Sequence, residues 1–315
     1  MKVLVTGASG FVGRALCAHL TVKGHTVIGG VRHMPEKPLP GVEYRSVSGL
    51  SVDTDWRAAL AGIDAVVHCA ARVHIMNEAS IDPLTAFREV NVKGTACLAE
   101  QAVDSGIKRF IYISSVKVNG ETTSGSPFKA DDTPAPEDPY GTSKWEAEQV
   151  LREISEKTEL EVVIIRPPLV YGPGVRANFL RLMKVIMSGV PLPFGAVNNR
   201  RSMVALENLV DLIETCLNHP AAANQTFLVS DGEDLSTKAL LQRTAAALGK
   251  PSRLIPIPVS VLWAAATLLG RSDFAQRLCG SLQVDIGKTR DCLNWSPPVS
   301  VGEALHKTAE HFQSH

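Results

Sequence analysis

The first residues of this chain restrict its fold more than any other stretch. KVLVT (Lys2–Thr6) is a short apolar run that passes directly into GASGFVG and then into the amphipathic segment RALCAHLTVKG, so a strand, a glycine turn and a helix follow without a linker. Gly7, Gly10 and Gly13 permit a tight turn, close approach of backbone to a pyrophosphate, and close packing of helix on strand, with the phosphate at the positive helix end. Gly24 stops that helix and a second strand follows at 25–31. Apolar runs at 42–47, 65–69, 110–114 and 162–165 then alternate with longer amphipathic segments, which predicts an α/β fold with a doubly wound parallel sheet. Residues 1–166 are expected to form this dinucleotide-binding unit. Past 166 the pattern loosens, with helices expected near 178–187, 207–218, 236–248 and 259–269. Residues 167–315 are therefore taken as a smaller C-terminal substrate lobe, from which the strand-helix piece 201–218 packs back on the first unit.

Chemistry concentrates between Ser114 and Lys144. Tyr140 and Lys144 lie four residues apart in a segment that follows Asp138-Pro139 and continues as a helix, so their side chains share a face. An ammonium beside a phenol favours the phenolate and lowers a pKa that is ordinarily near ~10, which suits a group exchanging a proton near neutral pH. Ser115 closes the apolar run RFIYISS, at the strand end where parallel sheets place ligands. The intervening loop, 119–139, carries Pro127, Pro134, Pro136 and Pro139 and reads as a rim over the site.

Composition removes several classes of function. Thirty-two basic residues balance thirty-two acidic ones and no basic tract occurs, so nothing points to nucleic acid or a polybasic membrane anchor. The six cysteines form no Cys-x-x-Cys pair, so reduced thiols and no metal site are expected. The longest apolar run, VSVLWAAATLLG at 259–270, is too short to span a bilayer; it reads first as a core helix of the second lobe, with a membrane-surface helix or a subunit contact as the alternatives. With no signal peptide at the N-terminus, a cytoplasmic location is expected.

The motifs TGASGFVG, HCAA (68–71), NVKGT (91–95), ISS (113–115), YGTSK (140–144) and RPPLVYGPG (166–174) occur in one order. In this the chain resembles the extended short-chain dehydrogenase/reductases of the NAD-dependent epimerase/dehydratase family, and within them the nucleotide-sugar 4-epimerase and 4-keto reductase type. The resemblance covers nearly the whole length. It implies an enzyme with Ser115, Tyr140 and Lys144 as catalytic residues. It also implies a cofactor site built from Gly7, Gly10, Phe11, Val12, Gly13, Arg32, Ala70, Ala71, Asn91, Tyr140 and Lys144. Asn91 would help hold a water or the lysine, while His68 and Cys69 read as core. Asn178, Arg201 and Arg277 are the implied contacts to the nucleotide diphosphate, and the helices at 83–105 and 140–156 imply a homodimer.

Two departures bear on the cofactor. Val31 stands where NAD-binding relatives carry a carboxylate and Arg32 follows it, which favours NADP over NAD; Gly49 stands where relatives commonly have an adenine-contacting Asp. Weakened cofactor holding points to a one-way 4-keto reductase acting at C4 of a UDP- or dTDP-sugar. A UDP-sugar 4-epimerase is the alternative, with a dihydroflavonol-type ketone reductase and a non-catalytic cofactor sensor further off.

Overall fold

The computed structural model describes residues 1–73 and 82–314. β1 (Lys2–Thr6) enters the glycine turn, and α1 (Phe11–Val22), β2 (Thr26–Val31), β3 (Val42–Ser46), α2 (Arg57–Leu60) and β4 (Ala65–His68) follow. Next come α3 (Pro83–Phe87), α4 (Gly94–Asp104), β5 (Arg109–Ile113), α5 (Pro139–Lys157) and β6 (Glu161–Arg166). The remainder comprises β7 (Leu169–Tyr171), α6 (Ala177–Met187), β8 (Met203–Ala205), α7 (Leu206–Asn218), β9 (Thr226–Leu228), α8 (Thr237–Ala247), α9 (Val259–Leu268), α10 (Ser272–Cys279), α11 (Gly287–Leu293) and α12 (Val301–Ser314).

Seven strands pair in the order β3-β2-β1-β4-β5-β6-β9, all parallel. Chain order reverses beside β1, and that crevice at the carboxyl ends of β1 and β4 is where such a sheet receives a ligand. Alternating side chains feed two cores. Val3 and Val5 of β1 and Ile111 of β5 pack with α1 and α7, whereas Leu4, Phe110 and Tyr112 pack with α4 and α5. Burial on both faces explains why these strands are apolar without alternation in the sequence. The doubly wound parallel sheet is thus as expected.

The sheet, however, does not end at residue 166. Its seventh strand, β9, comes from beyond α7, with Ile164 of β6 opposite Thr226. The apolar run here, Phe227 to Val229 between Thr226 and Ser230, gives too little periodicity to be recognised as a strand. The third cluster, including Tyr171, Phe179, Met183, Leu241 and Leu305, lies under the β7-β8 ribbon with α6, α8 and α12.

Two further expectations are corrected. The helix expected across 83–105 is interrupted by a π-helical turn at Arg88–Lys93, whose wider coil turns Asn91 into the interior. The helix at Val259–Leu268 is not core: none of its residues is buried, and Leu268 is 88% exposed. Its even apolarity in sequence fits a core helix, but α9 packs chiefly on α10 alone.

One buried knot joins the sheet to α5. Arg166, at the end of β6, donates to both carboxylate oxygens of Glu148 (2.9 and 2.6 Å) and to Asn119 Oδ1 (3.1 Å), and Ser114 Oγ donates to Glu148 Oε1 (2.6 Å). Glu148 and Arg166 are almost wholly buried. Removing one member of such a pair strands a charge, whereas removing both does not. Arg166→Met is therefore expected to lower the unfolding free energy by about 3–5 kcal/mol in urea titrations. Arg166→Met combined with Glu148→Met is expected to recover most of it; a double variant as unstable as the single one would refute this account.

Candidate active site

The glycine turn has the shape that its sequence foretold. Gly7 adopts φ +67°, and a Cβ there would lie 2.9 Å from Ala70 N; a Cβ on Gly13 would lie 2.2 Å from Gly7 O. Gly10 N donates to Gly7 O (2.8 Å) and caps α1 without any side-chain hydrogen bond, and the first turn, with Phe11 and Val12, carries no acidic residue. A helix N-terminus left uncapped beside a cradle that no side chain could enter fits a pyrophosphate. Ala70 N, at the exit of β4, donates to Thr6 Oγ1 (3.2 Å), which places Ala70 against the same turn, with Ala71 next in the chain.

Val31 ends β2 buried, and Arg32 follows it exposed. Arg14 Nη1 donates to Lys37 O (2.9 Å), holding the loop that carries Arg32 against α1. Arg32, His33 and Lys37 all belong to the loop that this bond holds to α1.

Tyr140 sits in the first turn of α5, whose N-cap Asp138 accepts from Gly141 N (2.6 Å). Ser115 follows β5 and caps the short turn Val116–Val118, accepting from Lys117 N (3.3 Å). A Cβ on Gly141 would approach Lys117 O to 2.9 Å, so the glycine of YGTSK lets the Ser115 turn press against the turn bearing Tyr140. Lys117 also bonds Asp138 and Glu121, closing this contact electrostatically. The structure therefore gathers the turn of Ser115, the helix turn of Tyr140 and Lys144, and the glycine cradle at one end of the sheet.

Lys144 is 2% exposed; its Nζ donates to Ile113 O (2.8 Å) and lies 4.5 Å from the centre of the Tyr112 ring. Burial pushes its pKa down to about 8, partly offset by Cys69 and Glu148. Tyr140, whose ring centre is 5.9 Å from Lys144 Nζ, has its pKa raised by burial and by Asp138. This corrects the expectation that the lysine lowers the phenol: here the ammonium is held by a backbone carbonyl, and desolvation prevails. Phe87 meets Tyr140 edge-on with centres 5.9 Å apart, completing the apolar wall.

Asn91, which the resemblance implied would help hold a water or the lysine, is bonded to groups of the chain itself. Its amide exchanges two hydrogen bonds with the Arg72 backbone (2.7 and 3.0 Å) and donates to Ser143 Oγ (3.0 Å). It therefore joins the exit of β4 to the turn of α5 between Tyr140 and Lys144. His68 is core, as read: its ring nitrogens meet the hydroxyls of Thr6 (2.6 Å) and Thr95 (3.0 Å), and burial pushes its pKa down to about 3.

Of the expected diphosphate residues, Arg201 and Arg277 are brought together and Asn178 is not. Arg201 Nη1 donates to Gly280 O (3.0 Å), and its pKa is lowered by burial first and by Arg277 second. Arg277 is exposed, as is Asn178 in the first turn of α6; among the described residues no hydrogen bond joins Asn178 to either arginine. Ala177, just before it, has φ +54°, a strained backbone with no sequence signal. The loop 119–139 is strapped to the segment after α10 through Phe128 N to Gln283 O (2.9 Å) and Asp285 N to Phe128 O (2.7 Å). That segment in turn bonds Arg200 and Ser202, so the arginine ledge and the loop leading to Tyr140 are one surface.

Sequence reasoning missed Tyr112, Ser143 and Glu148. Glu148 alone left a trace, one turn beyond Lys144 on the same face of a helix, where a charge must be buried or paired.

The profile of the NAD dependent epimerase/dehydratase family matches residues 3–230. The chain is 49% identical over 314 residues to a UDP-glucose 4-epimerase of Vibrio cholerae, covering 99% of this chain and 95% of that protein. It is 30% identical over 330 residues to an N-acetyl-alpha-D-glucosaminyl-diphospho-ditrans,octacis-undecaprenol 4-epimerase of Escherichia coli O157:H7, covering 98% and 95%. Its fold matches that of the UDP-glucuronic acid 4-epimerase of Bacillus cereus, crystallised with NAD, at TM-score 0.79 and 22% identity, covering 100% of this chain and 97% of the other.

The depressed Lys144 pKa sets a pH window. Its folded-state value, about 8, lies below the ordinary 10.5, so the unfolded chain binds the proton more tightly and stability rises with pH between those values. The stability of the wild type relative to Lys144→Met is expected to increase from pH 8 to 10 in urea titrations; a flat or falling difference would show that the ammonium is not desolvated.

Proposed function

This chain belongs to the NAD dependent epimerase/dehydratase family and is an enzyme of the extended short-chain dehydrogenase/reductase class, and on that premise we propose that it inverts C4 of a UDP-hexose. The identity of 49% along nearly the whole chain to a UDP-glucose 4-epimerase carries the choice of reaction, and it displaces the reductase reading that the cofactor edge had favoured.

In this reading, residues 1–166 with α7 and β9 bind the dinucleotide, and the rest of 167–315 forms the substrate lobe. The uncapped turn Gly7, Gly10, Phe11, Val12 and Gly13 holds the pyrophosphate, with Ala70 and Ala71 beside it. A bound nicotinamide would accept hydride from the sugar carbon and return it. Tyr140 Oη, once deprotonated, takes the proton of the C4 hydroxyl and, after the 4-keto sugar has turned over in the site, returns it to the same oxygen, so that C4 is inverted. Ser115 Oγ orients the reacting oxygen, and Lys144 supplies positive charge beneath Tyr140 and Tyr112 and binds the ribose. Asn91 positions the helix turn through Ser143. Arg201 and Arg277 meet the diphosphate, for which a forked donor is suited, with Asn178 at the outer edge. The same reading has two chains associate through α4 and α5.

A second reading, a 4-keto sugar reductase, draws on the raised Tyr140 pKa, since a phenol kept protonated is ready to give its proton to a keto oxygen. Among the described residues no helix is long and apolar enough to cross a membrane.

Tyr140→Phe is expected to lower turnover by about two to four orders of magnitude with dinucleotide binding nearly unchanged; retention of a tenth of wild-type turnover would remove Tyr140 from its role. With UDP-glucose or UDP-N-acetylglucosamine, the protein is expected to equilibrate the C4 epimers without net change in nicotinamide absorbance. Stoichiometric consumption of NADPH with a UDP-4-keto-6-deoxy-hexosamine, and no epimerisation, would establish the reductase instead. Arg32 favours NADP, and in titrations Arg32→Ala is expected to remove about 1.5–3 kcal/mol of NADP(H) preference. Equal affinity of the wild type for NAD(H) and NADP(H) would make Arg32 a surface residue only.

A further inference from the structure

No charged residue occurs between Arg253 and Arg271, and the apolar stretch within that interval folds as α9, with α10 packed against it across Gly270. Ordinary surface helices turn a polar face outward. α9 turns no charge outward and only Ser260 and Thr267 as polar side chains: none of its residues is buried, and Val261 (53%), Leu268 (88%) and the following Leu269 (74%) stand in the open, with Phe274 of α10 at 59%. At 100° per residue, the exposed positions Ser260, Val261, Ala264, Ala265, Thr267, Leu268 and Leu269 sweep an arc of about 200° without a charge. Exposure is greatest at the tip of the hairpin. A flat protein surface covers one side of such a helix, whereas acyl chains wet a projecting tip from several sides at once.

Charge around the hairpin selects the kind of lipid. Lys250 and Arg253 precede it and Arg271 and Arg277 follow, with Asp273 the only acidic residue from 250 to 283. Lys250, Arg253, Arg271 and Arg277 are all exposed. A short, evenly apolar helix flanked by cations matches the interface of an anionic bilayer, where the apolar side chains enter the acyl boundary and the cations stay among the headgroups. The hairpin is continuous with the candidate site. Leu278 O and Gly280 O, at the end of α10, accept hydrogen bonds from Asn199 Nδ2 (3.3 and 2.7 Å), and Gly280 O also accepts from Arg201 Nη1 (3.0 Å).

We propose that the α9-α10 hairpin docks this protein on an anionic phospholipid surface, with Leu268, Leu269 and Phe274 inserted and Lys250, Arg253 and Arg271 at headgroup level. The proposal is independent of the reaction at C4, because docking is read without substrate. The test is flotation of the full chain with vesicles of phosphatidylethanolamine and phosphatidylglycerol, against vesicles of phosphatidylcholine alone. The wild type floats with the anionic vesicles and less with the neutral ones, and salt weakens its binding. Leu268→Glu with Leu269→Glu, and separately Phe274→Glu, reduce the bound fraction about tenfold or more at unchanged melting temperature and unchanged turnover of a soluble UDP-sugar. The proposal is overturned if the wild type does not float, or if the glutamate variants float like the wild type. It is equally overturned if light scattering shows that Leu268→Glu with Leu269→Glu converts a wild-type dimer into a monomer, because a second copy then covers the face.

Discussion

The ion pair of Glu148 and Arg166 is the constraint on which the arrangement of the site rests. It is bidentate and almost fully buried, with Ser114 on the carboxylate and Asn119 on the guanidinium, so the pair binds α5 to the ends of β5 and β6 and to the start of the long loop. Such a pair contributes little net stability compared with well-packed apolar residues, but it tolerates only one relative placement of its elements. Glu148 lies one helical turn from Lys144 and two from Tyr140, so the register it imposes on α5 is also the register of the candidate catalytic groups. Asn91, turned inward by the π-helical turn, repeats the same device on the opposite side of α5 through Ser143. The first turns of α5 are thus held by polar contacts from two directions.

Electrostatics within that frame run against the simplest picture of a lysine beside a tyrosine. Burial acts on both groups in the direction of neutrality, lowering Lys144 and raising Tyr140, and the ammonium spends its hydrogen bond on Ile113 O below the Tyr112 ring. Proximity in sequence placed the two side chains on one face but did not determine which partner each would take. Desolvation outweighs a cation that stands 5.9 Å from the ring.

The C-terminal half is organised differently. The segment 281–285 bonds the long loop on one side and the Arg200–Ser202 backbone on the other, so the ledge bearing Arg201 is continuous with the approach to Tyr140. From the same ledge α10 leads back to α9, and the helix that sequence apolarity assigned to the core stands at the surface with none of its residues buried. Apolarity records that a face is to be covered; it does not record by what.

What the amino-acid sequence determined alone is what depends on near neighbours along the chain. The strand, glycine turn and helix of residues 2–22, the first six strands of the sheet, and the one-turn spacing of Tyr140 and Lys144 are local patterns set by backbone sterics and side-chain periodicity. Membership of the family followed from such motifs in order. What only the tertiary structure decided are pairings between distant residues: β9 on β6, the Glu148 and Arg166 knot, Asn91 on Ser143, Arg201 on the α10 terminus, and the exposure of α9. Each of these arises from a balance of burial against hydrogen bonding among groups far apart in sequence, and no local period encodes that balance.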